Sequence, residues 1–599
     1  MTEYFLKKLH EIQSDPEQLA AYDAPGNIVV VAGPGSGKTT VLTLKVMRLL
    51  NEAISPPRGL ACLTYSTEAA REFKDRLWKL GLEKRENVFL GTVHSFCLAE
   101  VLTPFAHLYP KYRIPQPIRI IPERQREKLF NAQGYEGQPR LGDIDKERTR
   151  NIQGISRVAL ESYEVALKAA VSFEDLLLQE GYIDFVSMVK ISVELIHKEA
   201  YVRKALEAKF PWVVIDEYQD LGKPLHEIVL ALLNFTNIKI FAVGDADQSI
   251  YDFQGAAPDY LTELSKREDV GCVHLMNNYR SSQVIVDASQ CVLECQRGYT
   301  ASGRFRDYQA SVEFYECDNG MDEQYCTAIE LIQRFHGEGI PYHEIVVLMG
   351  SNEQVKNLYS ECTAQNLPVY IARQDFRNTD PILWLQNCAC WLLDRNTATF
   401  DSICSVWKGF LLPRHNGSID EDDYLAIKRN LLRVLNGSYV HKDSLYEWLQ
   451  YCFSELDICS VFNGSDRFPD EIENFEKLLI TARETTPLLT LGFLARLGVP
   501  DSQVVLSTRH SAKGLEFDAV IMLGMEKDSF PNFYDTTQRQ IEEAHRLCFV
   551  AVSRARKACA LVRSKQLPNK YGRWFPKDPS PFWTSLQGFE AERSGATHR

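Results

Sequence analysis

The stretch that most narrows what this chain can fold into is Ala32-Gly33-Pro34-Gly35-Ser36-Gly37-Lys38-Thr39-Thr40. It follows the β-branched run Ile28-Val29-Val30-Val31, the mark of a buried parallel strand, and leads into the helix-forming VLTLKVMRLL. Strand, glycine-rich loop and helix in that order are the context of a phosphate loop. Gly33, Gly35 and Gly37, with Ser36, let backbone N–H groups turn inward around phosphates, and the helix N-terminus adds positive potential. Lys38 is then expected to reach the β- and γ-phosphates, and Thr39 to ligate Mg²⁺. The first position is Ala32 where a glycine is usual.

A phosphate loop alone fits kinases, GTPases, transporters and motors. The second half of the site is more selective. Trp212-Val213-Val214-Ile215 reads as another buried strand and ends in Asp216-Glu217-Tyr218-Gln219-Asp220. Carboxylates at the carboxyl end of a parallel strand sit where the phosphates arrive. Asp216 is expected to hold Mg²⁺ through water, and Glu217 to orient and deprotonate the attacking water. In strand register the two acids point to opposite sides, which suits two roles. A base beside the metal ligand favours a hydrolase over a kinase. A third run, Ile238-Lys239-Ile240-Phe241-Ala242-Val243, leads into Gly244-Asp245-Ala246-Asp247-Gln248-Ser249-Ile250-Tyr251. Gln248 is placed to sense the γ-phosphate. Tyr251 and Phe253 follow at i and i+2, a spacing that suits stacking on bases and also suits core packing.

Charge limits the partners. The 599 residues carry 67 Lys+Arg against 80 Asp+Glu, a net of −13, which speaks against a wholesale polyanion coat but permits a local basic groove. From Lys111 to Arg157 there are eleven Lys/Arg against six acids. From Asp420 to Glu484 there are fourteen acids against seven bases. The basic segment fits a phosphate-holding surface or a solvated helical face; the acidic one is the better candidate for contact with protein. Fifteen cysteines without a C-x-x-C pair support neither zinc nor an iron–sulfur cluster. No run approaches the ~18 apolar residues of a membrane span, and the N-terminus lacks a signal-peptide stretch. The expectation is a cytoplasmic protein with reduced thiols and no membrane contact.

Further segments complete a pattern. Gln18 closes Asp-Pro-Glu-Gln; Thr64-Tyr65-Ser66-Thr67-Glu68-Ala69-Ala70-Arg71-Glu72 and Gly91-Thr92-Val93-His94-Ser95-Phe96 follow the phosphate loop. Asn278-Tyr279-Arg280-Ser281, then Thr508-Arg509-His510-Ser511-Ala512-Lys513-Gly514-Leu515-Glu516-Phe517 and Phe549-Val550-Ala551-Val552-Ser553-Arg554-Ala555, come later. In kind and order these segments resemble the UvrD/Rep/PcrA-type superfamily 1 (SF1A) DNA helicases, over about residues 1–300 and 500–565. The resemblance implies that Gln18 reads adenine, Tyr279 stacks on it, Glu516 contacts the ribose, and Arg280 and Arg554 bind phosphate as arginine fingers. It implies nucleic-acid contacts at Thr64, Tyr65, His94, Tyr251, Phe253, Thr508 and His510. Four positions depart from the family pattern. Thr40 and Gln254 stand where arginine is usual, so base selectivity is expected to be looser and one link between ATP and strand is missing. Ser553 replaces threonine, and Gly350 replaces a common arginine.

The implied fold is α/β: two RecA-like parallel-sheet P-loop domains in tandem, each carrying a mostly helical insertion. The first core is expected over 1–100 and 181–272, with a basic insertion at 101–180. The second core is expected over 273–375 and 499–580, with an acidic insertion at 376–498 and a tail at 581–599. Trp574, Phe575, Phe582 and Trp583 are expected to pack back on the core. The implied function is an ATP- and Mg²⁺-dependent 3′→5′ translocase and helicase on single-stranded DNA and single/double-strand junctions. A second reading is a DNA-stimulated ATPase or DNA-end sensor paired with a nuclease or other protein subunit, in repair or in anti-phage defence such as Gabija-type systems, where short members of this family occur. A third is a scaffold whose ATP site no longer turns over.

Overall fold

Apolar residues alternate along the first set of strands, and each alternate set is buried under a different helical layer. The computed structural model describes residues 2–82, 87–134, 139–145, 148, 163–251, 256–293, 295–415, 417–465, 467–485, 488–499, 502–569 and 571–597. Within it, β1 (Ile28–Ala32), β2 (Leu60–Thr64), β3 (Val88–Thr92), β4 (Trp212–Ile215), β5 (Lys239–Gly244) and β6 (Gly271–Leu275) form one parallel sheet, ordered β3-β2-β4-β5-β1-β6. Val29, Ala61, Val213 and Ile215 pack on one face against Met188, Leu195, Ile228 and Leu232. Ile28, Val30, Cys62 and Val214 pack on the other against Val41, Leu44 and Leu77. Burial on both faces is why these strands read as unbroken apolar runs. β6 carries this sheet to Leu275, past the boundary expected at 272.

A short parallel pair, β7 (Asn277–Asn278) with β8 (Thr300–Ala301), leads into the second sheet. That sheet contains β9 (Ser311–Asn319), β10 (Ile345–Met349), β11 (Val369–Ile371), β12 (Val504–Thr508), β13 (Phe517–Met522), β14 (Ala555–Pro568) and β15 (Trp574–Pro576). The order is β11-β12-β10-β13-β14-β15, with β9 also paired to β14; only β14–β15 is antiparallel. The molecule is therefore the expected α/β arrangement of two tandem RecA-like parallel-sheet domains. In such open sheets, the loops at the strands' carboxyl ends gather on one side, which places the phosphate loop beside Asp216 and Asp245.

The helices between Asp380 and Ala495 enclose a core of their own, built on Trp384, Trp407, Leu431, Trp448 and Phe475. A smaller core under the first insertion contains Ile121, Phe130, Ile144, Phe173 and Leu177. Five of the bases in this segment are paired with carboxylates from other segments. Lys111 pairs with Glu199 (2.5 Å), Arg113 with Asp175, Arg124 with Glu476 (3.9 Å), and Arg126 and Arg148 both reach Asp184. The sequence shows charge sign but not that carboxylates from other segments fold against it. Lys146, Arg150 and Arg157 lie outside the described residues.

Asp184 ties the insertion down. It takes Arg148 Nη1 and Nη2 (2.5 and 2.7 Å) and Arg126 Nε (3.0 Å), and caps helix Phe185–Lys198 through Ser187 N. Burial alone would raise its carboxyl pKa; the Arg148 and Arg126 guanidiniums hold it well below the usual range. A depressed carboxylate contributes stability above its unfolded pKa and loses it as pH falls through the folded value. Asp184→Asn is expected to cost about 3–5 kcal/mol by leaving Arg148 buried with only Asp145, 3.4 Å away, to balance it. It should also flatten the acid-side loss of stability below about pH 4, both read by urea denaturation across pH.

Past β15, Pro581–Thr597 is a helix whose Phe582 and Trp583 are buried. Trp574 and Phe575 are not: they stand 47% and 39% exposed on β15, correcting the expectation that all four aromatics pack inward. The cause is the edge position of β15, which has a strand on one side only. Among the described residues, no helix is long and apolar enough to cross a membrane, and no group of His, Cys, Asp and Glu has metal-site geometry.

Candidate functional site

The phosphate loop bends through left-handed backbone at Gly35 (φ +66°) and Gly37 (φ +81°) before helix Lys38–Arg48 begins. A Cβ at Gly35 would lie 2.7 Å from Arg280 Cβ and 2.9 Å from Asn278 Oδ1, so only glycine lets the 278–280 segment close over the loop. Tyr279 N donates to Gly35 O (2.9 Å), and Asn278 Nδ2 to Pro34 O (2.8 Å). Ser36 Oγ donates to Gly33 O, and Gln18 Nε2 to Ser36 O, both at 2.8 Å. Asp15 caps the helix that carries Gln18 and accepts Tyr279 Oη at 2.6 Å. The expected adenine-reading pair therefore sits at one end of the loop. Thr39 and Thr40 lie in the first helical turn, where their carbonyls accept Thr43 Oγ1.

Among the described residues, Lys38 Nζ is buried without a hydrogen-bond partner, and its nearest carboxylate is Asp245 Oδ2 at 3.7 Å. Such an ammonium costs free energy unless an anion meets it, and the glycine cradle around it has the shape for phosphates. Asp216 and Thr39 offer the hard oxygens that suit Mg²⁺. Their donor chemistry fits that ion.

Asp216 and Glu217 are not in strand register. β4 ends at Ile215, and Glu217 takes a left-handed backbone (φ +51°), strain that a non-glycine residue keeps only where its surroundings enforce it. Burial, then the Glu217 charge, pushes the Asp216 carboxyl up to about 7. Burial would raise Glu217 as well, but Lys38 and Lys513 outweigh it and hold that carboxyl at about 2. The two acids are thus separated by their surroundings rather than by strand alternation: one carboxylate held ionised, one group whose charge a cation would restore.

Gln219 was not singled out by sequence, and it is fully buried at the centre of the site. Its Nε2 donates to Glu217 Oε2 (2.5 Å), and its Oε1 accepts Asp245 N (2.9 Å). A Cβ at Gly244 would lie 2.7 Å from that Oε1, so the glycine is the clearance this bridge needs. Its place between two acids in Asp216-Glu217-Tyr218-Gln219-Asp220 was the available signal.

Groups from the second core complete the site. Arg554 is 1% exposed, and among the described residues its guanidinium meets only neutral oxygens: Val550 O, Leu515 O, Ser553 Oγ and Gln248 Oε1, the last at 3.4 Å. Burial, then Arg280, pulls its pKa down to about 9. Arg280 Nε donates to Glu516 Oε2 at 2.7 Å, so the expected ribose contact is engaged by an arginine here. Lys513 crosses to the first core, reaching Asp220 (2.7 and 2.6 Å) and Gln248 O (2.7 Å).

Of the expected strand contacts, Tyr65 and Tyr251 are brought together, stacked at 5.7 Å, with Lys513 5.2 Å over the Tyr251 ring. Thr64 is buried and its hydroxyl donates to Ser66 O. His94 meets the Phe185 ring edge-on. Thr508 Oγ1 donates to Ser511 Oγ, and His510 follows it at the end of β12. Phe253 and Gln254 lie outside the described residues.

The profile of the UvrD/REP helicase N-terminal domain matches residues 14–269, and that of the UvrD-like helicase C-terminal domain matches 273–382 and 470–566. The chain belongs to the UvrD/Rep helicase family. As a UvrD-type protein it is an enzyme of the DNA-dependent ATPase and helicase class. The ATP-dependent DNA helicase PcrA of Staphylococcus epidermidis is 24% identical over 646 residues, covering 96% of this chain and 87% of that protein. PcrA of Staphylococcus aureus is 24% identical over 591 residues, covering 88% and 80%. The UvrD profile passes over residues 383–469, most of the acidic insertion.

Proposed function

We propose that the chain is an ATP-driven motor that tracks single-stranded DNA 3′→5′ and opens duplex at single/double-strand junctions. The observation that carries this reading is Arg554. It is a buried guanidinium of the second core with neutral partners, bonded to Gln248 of the first core, in a site that also holds the Lys38 ammonium, which pairs with Asp245 at 3.7 Å and makes no hydrogen bond among the described residues. A triphosphate is the ligand that satisfies both cations and draws the cores together.

In this reading Lys38 and the loop N–H groups hold the β- and γ-phosphates, with Gln18 and Tyr279 at the base. Thr39 and Asp216 hold Mg²⁺, which when bound offsets phosphate charge. Glu217, oriented by Gln219, takes the proton of the attacking water. Gln248, Arg280 and Arg554 meet the charge that develops on the γ-phosphoryl oxygens. Departure of the cleaved phosphate ion takes that charge out of the site, releases the arginines and lets the cores part. Tyr65, Tyr251 and His510 would then pass bases between cores as the gap opens and closes.

Polarity is tested with tailed duplexes. The expected result is ATP-dependent unwinding from a 3′ overhang; unwinding only from a 5′ overhang overturns the direction. The alternative reading, a DNA-end sensor paired with a nuclease, rests on the acidic 383–469 region that the family profile passes over. Co-purification of a nuclease, with DNA-stimulated ATPase but no unwinding of either tail, would favour it.

A further inference from the structure

Three segments that lie far apart in the chain meet at Tyr299. This residue precedes β8 on the second core and is 9% exposed. A Cβ at Gly33 would lie 2.5 Å from its Cε1, so the ring rests directly on the phosphate loop of the first core. Its hydroxyl donates to Asp247 Oδ2 at 3.5 Å, and its ring stacks on Phe549 with centroids 6.5 Å apart. Phe549 belongs to helix Gln538–Val552, which ends two residues before Arg554.

Two residues earlier in the chain, Arg297 grips the same carboxylate. Its Nε donates to Asp247 Oδ2 and its Nη2 to Asp247 Oδ1, both at 2.7 Å. Two parallel bonds fix orientation as well as distance, which a lysine at this position would not do. Gln290 holds the gripping segment in place. Its Oε1 accepts Arg297 N (3.2 Å) and Tyr299 N (3.0 Å), and its Nε2 donates to Tyr299 O (3.3 Å). Gln290 ends helix Gln283–Gln290, whose cap, Ser282, stands two residues after Arg280.

What Asp247 carries gives this grip its meaning. It lies in the turn Ala246–Gln248 of the first core, next to Gln248. Asp245 Oδ1 accepts Asp247 N (3.1 Å), and Asp245 Oδ2 accepts Gln248 Nε2 (2.5 Å). Gln248 Oε1 is in turn the first-core atom that meets Arg554. The Asp247 side chain is 9% exposed and that of Arg297 44%, so the acid is built into the first core and the arginine reaches it from the other. A buried carboxylate beside a second one needs such a cation.

We propose that Arg297 is a positioning residue for ATP turnover: from the second core it holds the turn that carries Gln248, while the Tyr299 ring ties that turn to the phosphate loop and to the helix that leads to Arg554. The assignment deepens the motor reading and rests on it. Neither residue touches the nucleotide's reacting atoms in this arrangement; both act through Gln248 and Arg554, so that the two cores close in one register.

The test is a double-mutant cycle on the full-length protein: Arg297→Ala, Asp247→Asn and the pair, with DNA-stimulated ATP hydrolysis and equilibrium binding of a fluorescent ATP analogue read side by side. Asp247→Asn keeps the side chain's shape and Arg297 is half-exposed, so neither change empties a core. Each single variant is expected to lose about 10²-fold in kcat, the scale of a misplacement of about 1 Å, with affinity for the analogue kept. The double variant is expected to be no slower than the slower single one, because both remove the same bonds. Tyr299→Leu should lose kcat in the same way, whereas Tyr299→Phe, which keeps the ring on Gly33 and Phe549, should stay close to the unsubstituted protein. Losses that multiply in the double variant overturn the shared grip, and affinity that falls in step with kcat overturns positioning in favour of general support of the site. Equal losses in Tyr299→Leu and Tyr299→Phe overturn the part given to the ring. Absence of DNA-stimulated hydrolysis in the unsubstituted protein sinks the motor reading and this inference together; full hydrolysis with unaffected variants sinks the inference alone.

Discussion

Glu217→Gln is expected to lower the DNA-stimulated kcat for ATP by about 10³-fold, within the 10²–10⁴ range of a positioned general base, with ATP affinity kept. The amide has nearly the shape of the carboxylate but cannot take a proton. It can still meet Gln219, since its carbonyl oxygen accepts from Nε2, so the bridge to Asp245 N survives and the defect isolates proton transfer. Two cations lose their partner's charge as well, Lys38 and Lys513, and both have a second carboxylate within reach: Asp245 at 3.7 Å and Asp220 at 2.6 Å. Equilibrium binding of a fluorescent ATP analogue alongside steady-state hydrolysis measures the split. A residual rate within tenfold of the unsubstituted enzyme would remove Glu217 from the chemistry.

Arg554→Ala is expected to reduce DNA-stimulated turnover by about 10³–10⁵-fold, the scale of a removed arginine finger. The same substitution at Arg280 should fall short of this, because Arg280 already spends one N–H on Glu516, whereas Arg554 has only neutral partners to lose. Arg554→Ala also severs the 3.4 Å bond to Gln248 across the cores. ATP-induced closure, followed by a distance-sensitive fluorophore pair with one dye on each core, should weaken in parallel with turnover. Turnover lost with closure intact would assign Arg554 to charge stabilisation alone; turnover reduced less than tenfold would contradict the shared site.

The chemistry of the ATP site was legible because it is local. Gly33 to Gly37 form one loop that feeds the helix carrying Lys38 and Thr39, and its glycines are dictated by backbone direction; Asp216 and Glu217 follow one strand. The strand-register reading of those acids failed for an equally local reason: β4 stops one residue earlier, and Glu217 turns into left-handed backbone, which no alternation rule anticipates. Gln219 escaped notice because both its partners, Glu217 Oε2 and Asp245 N, acquire meaning only when β4 and β5 lie side by side. Thr64 read as a strand contact, yet its hydroxyl is held by Ser66 O two residues on.

Charge was the least legible property. Eleven basic residues between 111 and 157 suggested a phosphate surface, while the fold brings Glu199, Asp175, Glu476 and Asp184 against five of them. Meanwhile Arg509, just past β12, is buried with its Nη2 on the Leu523 and Gly524 carbonyls and its guanidinium over the Phe530 ring. By itself, the sequence determined which strands are buried, which glycine-rich loop joins the first strand to its helix and which acids follow the fourth strand, because those follow from residue type and short spacing. Tertiary structure alone decided which cations are paired, that Arg554 bonds Gln248 across the cores, and that Arg280 is engaged by Glu516. Such electrostatic relations depend on distance and burial between segments hundreds of residues apart, quantities that no linear pattern contains.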